Sequence, residues 1–366
     1  MPKLVLENVR YTQDSEDYIY DFSAVFNSGI NLLIGPTTAG KTTLMRLIAG
    51  LMSPTSGSIS LDGADLAKVP VRDRSVAFVY QQFINYPSLS VFQNIASPLL
   101  ATKKKPSKQE IKARVEEVAE LLGLTPFLKR KPSELSGGQQ QRVAIARALS
   151  RKADIVLLDE PLANLDYKLR EQLRSELQSI FSQDSSIVIY STAEPSEALD
   201  FATETFVLNE GSLLQSGKAL NIYQRPVSIS AAVAMSDPPI NLLRSKIDGG
   251  SATFGNSSFK FTRGGNVGSS GEVNLGIQPG KIVLEQPSTS SVSFKCQVIL
   301  AELTGSSTFV HVTIDSGEQL VIEIEGSKSF ELDESITAYF NPEDLYGFDL
   351  DSGMALFFPI GGGRNG

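Results

Sequence analysis

The stretch Gly35-Pro36-Thr37-Thr38-Ala39-Gly40-Lys41-Thr42-Thr43 constrains this chain more than any other feature of it. It satisfies the pattern G-x-x-x-x-G-K-[ST]. Glycines let backbone N–H groups turn inward around an anionic phosphate, and a helix starting behind the loop adds the positive end of its dipole. The pattern carries weight only between a strand and a helix. Both are predicted here: residues 30–34 read as a buried strand, and Leu44, Leu47, Ile48 and Leu51 recur at helical spacing. In such a loop Lys41 reaches the β- and γ-phosphates of a nucleotide, and the Thr42 hydroxyl ligates Mg²⁺.

Two more segments fit a phosphate-transfer site. The apolar run 155–158 ends in Asp159, placed for a magnesium shell, and Glu160 follows, placed to polarise a water for attack on the γ-phosphate. Such a strand end means little by itself and becomes informative beside the phosphate loop. A second apolar run, 187–190, completes the look of a buried parallel sheet with helices between its strands. One of those helices is expected over 108–122, where Ile111, Val115, Val118 and Leu122 share a face. Leu135-Ser136-Gly137-Gly138-Gln139-Gln140-Gln141-Arg142 opens another. There Ser136 and the glycines either cap the helix or present free N–H groups to an anion.

The 366 residues suggest two domains or more, and charge separates them. Residues 1–235 hold 25 basic and 25 acidic groups, the remainder 8 and 16, which argues against nucleic acid as a partner. After Asp237-Pro238-Pro239 helical periodicity fades. Short alternating runs at 258–261, 292–298, 309–314 and 320–324 predict a small all-β barrel, with Ser/Gly-rich loops at 249–251, 264–271 and 287–293. His311, the one histidine, reads as a strand residue, and the one cysteine, Cys296, cannot form an internal disulfide. Residues 1–10 alternate like a strand rather than a signal peptide, and no apolar run reaches the length of a membrane span.

The octet 135–142 resembles the signature motif of ABC ATPases, and with the phosphate loop and Asp159-Glu160 it gives a resemblance over residues 3–235. The resemblance implies a P-loop α/β ATPase domain over 1–235 with a helical subdomain near 86–150. It also implies a head-to-tail dimer in which the signature residues Ser136, Gly137, Gly138 and Gln139 of one subunit close over ATP held by the other. Gln81 resembles the Q-loop residue that touches Mg²⁺ and reports to membrane subunits. Ala163-Asn164-Leu165-Asp166 resembles the D-loop at the dimer seam. An aromatic residue is expected against the adenine, with Tyr11 first and Tyr18 second.

Two departures stand out. Thr38 occupies a position that is usually glycine, and Ala193 occupies that of a histidine contacting the γ-phosphate. Three accounts of Ala193 are open: pairing with a different ATPase subunit, slower hydrolysis through Glu160 with Thr192 or Glu194 nearby, or ATP binding with barely any hydrolysis. The segments 80–89, 94–99 and 192–198 resemble the glycerol-uptake branch of carbohydrate importers, which use two different ATPase subunits. Asn241-Leu242-Leu243, Leu275-Gly276-Ile277-Gln278-Pro279 and Asn341-Pro342-Glu343-Asp344-Leu345 resemble the OB-like barrel of maltose- and glycerol-phosphate-type import ATPases, here 236–366.

These resemblances imply ATP and Mg²⁺ as ligands. They imply as partners a second ATPase subunit, identical or not, two transmembrane permease subunits and, through them, an extracytoplasmic solute-binding protein. The aromatic and apolar stretch 83–100 is the surface expected to meet the permease, at the cytoplasmic face of the inner membrane. The competing expectations are a regulatory subunit that hydrolyses ATP weakly or not at all, and a soluble ABC ATPase outside transport.

Overall fold

The computed structural model describes residues 2–101, 106–163, 165–182, 185–201, 203–261 and 270–360. They fall into two compact units, 1–216 and 217–366. In the first unit the chain runs through β1 (Lys3–Gln13), β2 (Glu16–Asn27), β3 (Gly29–Ile34), α1 (Lys41–Ala49), β4 (Ser56–Leu61), β5 (Ala64–Asp65) and β6 (Val76–Val79). The helices α2 (Val91–Leu100), α3 (Lys108–Leu121) and α4 (Gly137–Ser150) follow. The unit then adds β7 (Ile155–Asp159), α5 (Tyr167–Ser182), β8 (Ile187–Thr192), α6 (Pro195–Phe201), β9 (Glu204–Asn209) and most of β10 (Ser212–Lys218), whose last two residues fall past the boundary.

Its strands form two sheets, an antiparallel one in the order β2-β1-β4-β5 and a second in the order β10-β9-β3-β8-β7-β6. In the second, β9-β3-β8-β7-β6 are mutually parallel. Every residue of β7 and β8 is buried, as expected of parallel strands covered on both faces. Leu44, Met45, Leu47 and Ile48 of α1 join one core with Leu4, Leu6, Phe22 and Phe26 of the antiparallel sheet and Leu33, Leu157, Ile189 and Leu208 of the parallel one. The helix behind the phosphate loop is thus embedded in the core. That fixes where the loop ends.

The helical region expected near 86–150 holds α2, α3 and α4, in contact with one another. Each begins with a serine that accepts from the backbone three residues on, returned by Gln93, Glu110 or Gln139. Such reciprocal caps satisfy two otherwise orphan N–H groups. The face expected on α3 is buried through Ile111, Val115 and Val118.

The second unit opens with α7 (Ala219–Gln224) and α8 (Ile229–Ala234). It continues with β11 (Asn241–Asp248), β12 (Ser251–Phe254), β13 (Ser257–Lys260), β14 (Ser270–Ile277), β15 (Val292–Leu303) and β16 (Ser307–Ile314). It closes with β17 (Gln319–Glu325), β18 (Ser335–Phe340), β19 (Tyr346–Asp349) and β20 (Ala355–Phe357). Two antiparallel sheets, β13-β12-β11-β14-β19-β20 and β17-β16-β15-β18, curl around a single apolar core in an OB-like manner. Phe254 of the first sheet lies 4.5 Å, ring to ring, from Phe340 of the second.

The units divide at Ser216/Gly217, ahead of the boundary expected at 235/236. The reason lies in α7, α8 and the chain between them. Tyr346 Oη donates to Tyr223 O, Ala355 N donates to Val227 O, and Ala232 packs with Ile240, Tyr346 and Phe348. Residues 264–269 of the loop expected at 264–271, and Asn164 of the segment 163–166, lie outside the described residues.

Candidate nucleotide site

In an open parallel sheet ligands gather at the C-terminal ends of the strands, where the loops leave. Here β3 ends at Ile34, β7 at Asp159 and β8 at Thr192. Ile34 is in register with Thr192, and Asp159 with Ser191. The loop 35–40 leaves β3 under tight restraint. A Cβ at Gly35 would lie 2.2 Å from Leu208 O, and Gly40, which caps α1, has φ 93°. Both positions require glycine, one for close approach and one for its left-handed backbone. Thr38 is exposed and keeps a negative φ, so the departure from glycine costs no backbone strain there.

Lys41 is 3% exposed and donates from Nζ to Gly35 O at 2.6 Å and Pro36 O at 3.0 Å. Its third neighbour is Glu160 Oε1 at 3.3 Å. Burial pulls the ammonium below its usual pKa, and the Glu160 carboxylate opposes that pull. Gln81 Nε2 donates to Glu160 Oε2 at 2.8 Å, so Glu160 is held from two sides. Glu160 also sits at φ 45°, a conformation that costs a non-glycine residue about 1–3 kcal/mol. Its backbone is pinned there by N–H donation to Ser191 Oγ at 3.0 Å.

Asp159 accepts from the Thr42 hydroxyl at 2.8 and 3.0 Å and from Ser191 Oγ at 2.9 Å. The structure thus brings together Gly35, Pro36, Lys41, Thr42, Gln81, Asp159 and Glu160, all singled out from the sequence. Ser191 was not, although it touches both carboxylate residues. A buried serine at a strand end carries no pattern that separates it from packing.

An open cleft of about 470 Å³ adjoins the loop, lined by Thr37, Thr38, Gly40, Lys41, Thr42 and Thr43 with Asp17, Tyr18, Tyr20, Glu210 and Gly211. Ala39 is buried beneath it, with its carbonyl accepting from Gly211 N at 3.1 Å. Tyr18 lies in the wall of this cleft and Tyr11 does not. Tyr11 sits 6.1 Å away, ring to ring, partly packed on the core with its hydroxyl on Gln13. The β1–β2 hairpin turns the second strand, and Tyr18 with it, toward the loop.

Ser136, Gly137, Gly138 and Gln139 do not line the cleft of their own chain. Ser136 and Gly137 are exposed, and Ser136 Oγ accepts from Gln139 N at 3.3 Å while Gln139 Oε1 accepts from Ser136 N at 3.0 Å. Asp166 is exposed as well and caps α5 by accepting from Leu169 N at 3.0 Å. Ala193 follows β8 directly, exposed, at the edge that holds the phosphate loop and Glu160.

A phosphate loop at the end of a parallel strand, a buried lysine, and paired carboxylates at the end of the next strand but one define a nucleoside-triphosphate-binding ATPase domain, here followed by an all-β unit. The family model described as ABC transporter matches residues 23–163, and that described as TOBE domain matches residues 275–348. The chain belongs to the ATP-binding proteins of ABC transporters, which couple ATP hydrolysis to transport.

Across 97% of its length it is 32% identical to the whole of YcjV of Escherichia coli, an uncharacterized ABC transporter ATP-binding protein. It is 34% identical, over 96% of this chain and 98% of the relative, to the sn-glycerol-3-phosphate import ATP-binding protein UgpC of Brucella abortus. The xylose/arabinose import ATP-binding protein XacK of Haloferax volcanii is 34% identical over 89% of this chain and 86% of its own. Among solved structures, dimeric MJ0796, a bacterial ABC transporter cassette, matches 59% of this chain and 98% of its own, with TM-score 0.53 and 30% identity. The same cassette in a post-hydrolysis state with ADP and Pi matches at TM-score 0.53 and 29% identity.

Proposed function

We propose that this chain hydrolyses ATP to drive an ABC importer of a small polyol or sugar, with glycerol and glycerol-3-phosphate the first cargoes to test. The cargoes for which the relatives are named, sn-glycerol-3-phosphate and xylose/arabinose, support import of small hydroxylated solutes. The observation that carries the catalytic reading is the placement of Glu160. Its carboxylate lies 3.3 Å from Lys41 Nζ and 2.8 Å from Gln81 Nε2, on a backbone held in a strained conformation by Ser191.

In this reading backbone amides of residues 37–43 and Nζ of Lys41 hold the β- and γ-phosphates. Glu160 takes a proton from the attacking water as that water bonds to the γ-phosphorus and the bond to the β–γ bridging oxygen breaks, releasing ADP. Tyr18 offers its ring to the base, and Glu160 is within reach of Gln81, which relays the state of the site toward the 83–100 surface. The donor set of the Thr42 hydroxyl, the Asp159 carboxylate and the Gln81 amide oxygen is hard oxygen, which suits Mg²⁺. When bound, Mg²⁺ neutralises charge on the β- and γ-phosphate oxygens. Ser136–Gln139, whose first two residues are exposed, and the exposed Asp166 lie away from their own cleft and serve the nucleotide of a second ATPase subunit. Two permease subunits and an extracytoplasmic solute-binding protein complete the machine, with this chain at the cytoplasmic face. Among the described residues no helix is long and apolar enough to cross a membrane.

The test is ATP turnover by the complex of this chain with its permease subunits in proteoliposomes, loaded with each cargo in turn. Turnover that exceeds the Glu160→Gln complex and rises with cargo is expected. Equal rates in the two complexes refute the catalytic role. Ala193 supports a second reading, a subunit in a heterodimer whose own site hydrolyses slowly. Ala193→His then raises turnover severalfold. An unchanged rate counts against that reading.

A further inference from the structure

The turn after β8 is mechanically joined to the signature turn through the start of α5. Arg170, in the first turn of α5, donates from Nη1 to both carboxylate oxygens of Glu194, at 2.6 and 2.5 Å. Its Nη2 lies 3.5 Å from Leu165 O, and its backbone N donates to Asp166 O at 2.9 Å. Glu194 is fixed in turn, its N–H donating to Thr192 Oγ1 at 2.9 Å. Thr192 pairs with Ile34, the residue before the phosphate loop. On the other side, Leu169 packs against the signature helix so closely that a Cβ at Gly138 would lie 2.2 Å from Leu169 Cδ2.

A continuous route therefore runs from Ile34 through Thr192, Glu194, Arg170 and Leu169 to Gly138. Side chain 193 takes no part in it. A guanidinium that holds the Glu194 carboxylate through Nη1 and reaches Leu165 O through Nη2 ties two segments with one rigid plane, which a single ammonium cannot reproduce. The pair is half-buried, so solvent weakens it less than an exposed pair.

We infer that Arg170 and Glu194 are positioning residues that transmit the state of the phosphate end of the cleft to the signature turn 136–138. The inference rests on the roles proposed above for the phosphate loop and the signature. It assigns to the α5 contact the task of telling one nucleotide site what the other face of the subunit should do. In a chain with alanine at 193 that link leaves from Glu194.

Hydrogen exchange by mass spectrometry on the full chain tests this, with AMP-PNP and Mg²⁺ as the probe. In the wild type the probe slows exchange at 34–43, at 192–198 and at 136–142. In Arg170→Lys and in Glu194→Gln the first two responses and the affinity for AMP-PNP stay within about twofold, while the response at 136–142 falls about fivefold or more. In the transporter complex kcat falls about tenfold with KM for ATP unchanged, the scale on which a loosened positioning contact acts. Arg174→Lys, which alters a neighbouring ion pair from α5 to Glu171 and Asp200, serves as the control and leaves all three responses intact.

A response at 136–142 that persists in Arg170→Lys overturns the inference. So does an equal loss in Arg174→Lys, or a loss shared by all three segments together with weaker binding. If 34–43 responds in the wild type and 136–142 does not, the inference fails and the nucleotide reading stands. No response at 34–43 overturns both.

Discussion

Ser191→Ala removes one oxygen from the molecule and, by the geometry, disturbs both carboxylate residues of the site. Ser191 is fully buried; its hydroxyl donates to Asp159 Oδ1 at 2.9 Å and accepts from Glu160 N at 3.0 Å. A hydrogen bond to a charged group is worth about 1.5–3 kcal/mol, and an N–H left buried without a partner costs about 1–3 kcal/mol. Allowing for partial relaxation, the first unit loses about 2–4 kcal/mol, which at its size lowers its melting temperature by about 5–15 °C. The loss falls where Glu160 is already strained, at φ 45°, so its carboxylate no longer has a fixed origin. Turnover in the transporter complex then falls about tenfold or more. Differential scanning calorimetry of the full chain reads the first effect and phosphate release the second. A variant that melts within about 1 °C of wild type and turns over ATP equally well refutes the tether, since neither bond would then have been stabilising anything.

Other expectations follow from the same geometry. Tyr18→Ala weakens binding of a fluorescent ATP analogue about tenfold, the scale of one lost base-stacking contact, while Tyr11→Ala leaves it within about twofold; the reverse order would restore Tyr11 as the base platform. Burial raises the pKa of Glu197 above 4.5, so this group stabilises the fold at low pH and that contribution is lost as pH rises through the raised value. Glu197→Gln keeps an acceptor for the Tyr190 hydroxyl, now 3.0 Å from Glu197 Oε2. Relative to wild type the variant therefore gains melting temperature from pH 4.5 upward, and a gain confined to acid pH would contradict the sign.

The phosphate loop was legible because its requirements are local. Glycine spacing, a buried strand before it and a helix behind it all lie within one stretch of chain. Asp159 and Glu160 were legible as the end of a continuous apolar run, and the strands of the β unit as alternation. Ser191 was not, because its role depends on the register of β8 against β7, which no short window contains. Which of Tyr11 and Tyr18 lies in the cleft wall was hidden for a similar reason. The unusual length of the segment between them favoured Tyr11, whereas the pairing of β1 with β2 sets which ring faces the cleft. The unit boundary lies earlier because α7 and α8 have ordinary helical composition, and only the bonds from the Tyr346 hydroxyl and Ala355 N to the carbonyls of Tyr223 and Val227 show which core this stretch completes.

The loop 35–40 divides into a part owned by the fold and a part owned by the ligand. Gly35 lies against the carbonyl of Leu208, so any side chain there pushes on the central sheet before it meets a phosphate. Thr37 and Thr38 face solvent, and their replacement leaves the sheet untouched. A genetic screen would therefore misreport this loop. Inactive variants at its first residue would be missing from the soluble fraction and score as folding defects. Inactive variants at its middle would accumulate normally and be the ones that inform on chemistry.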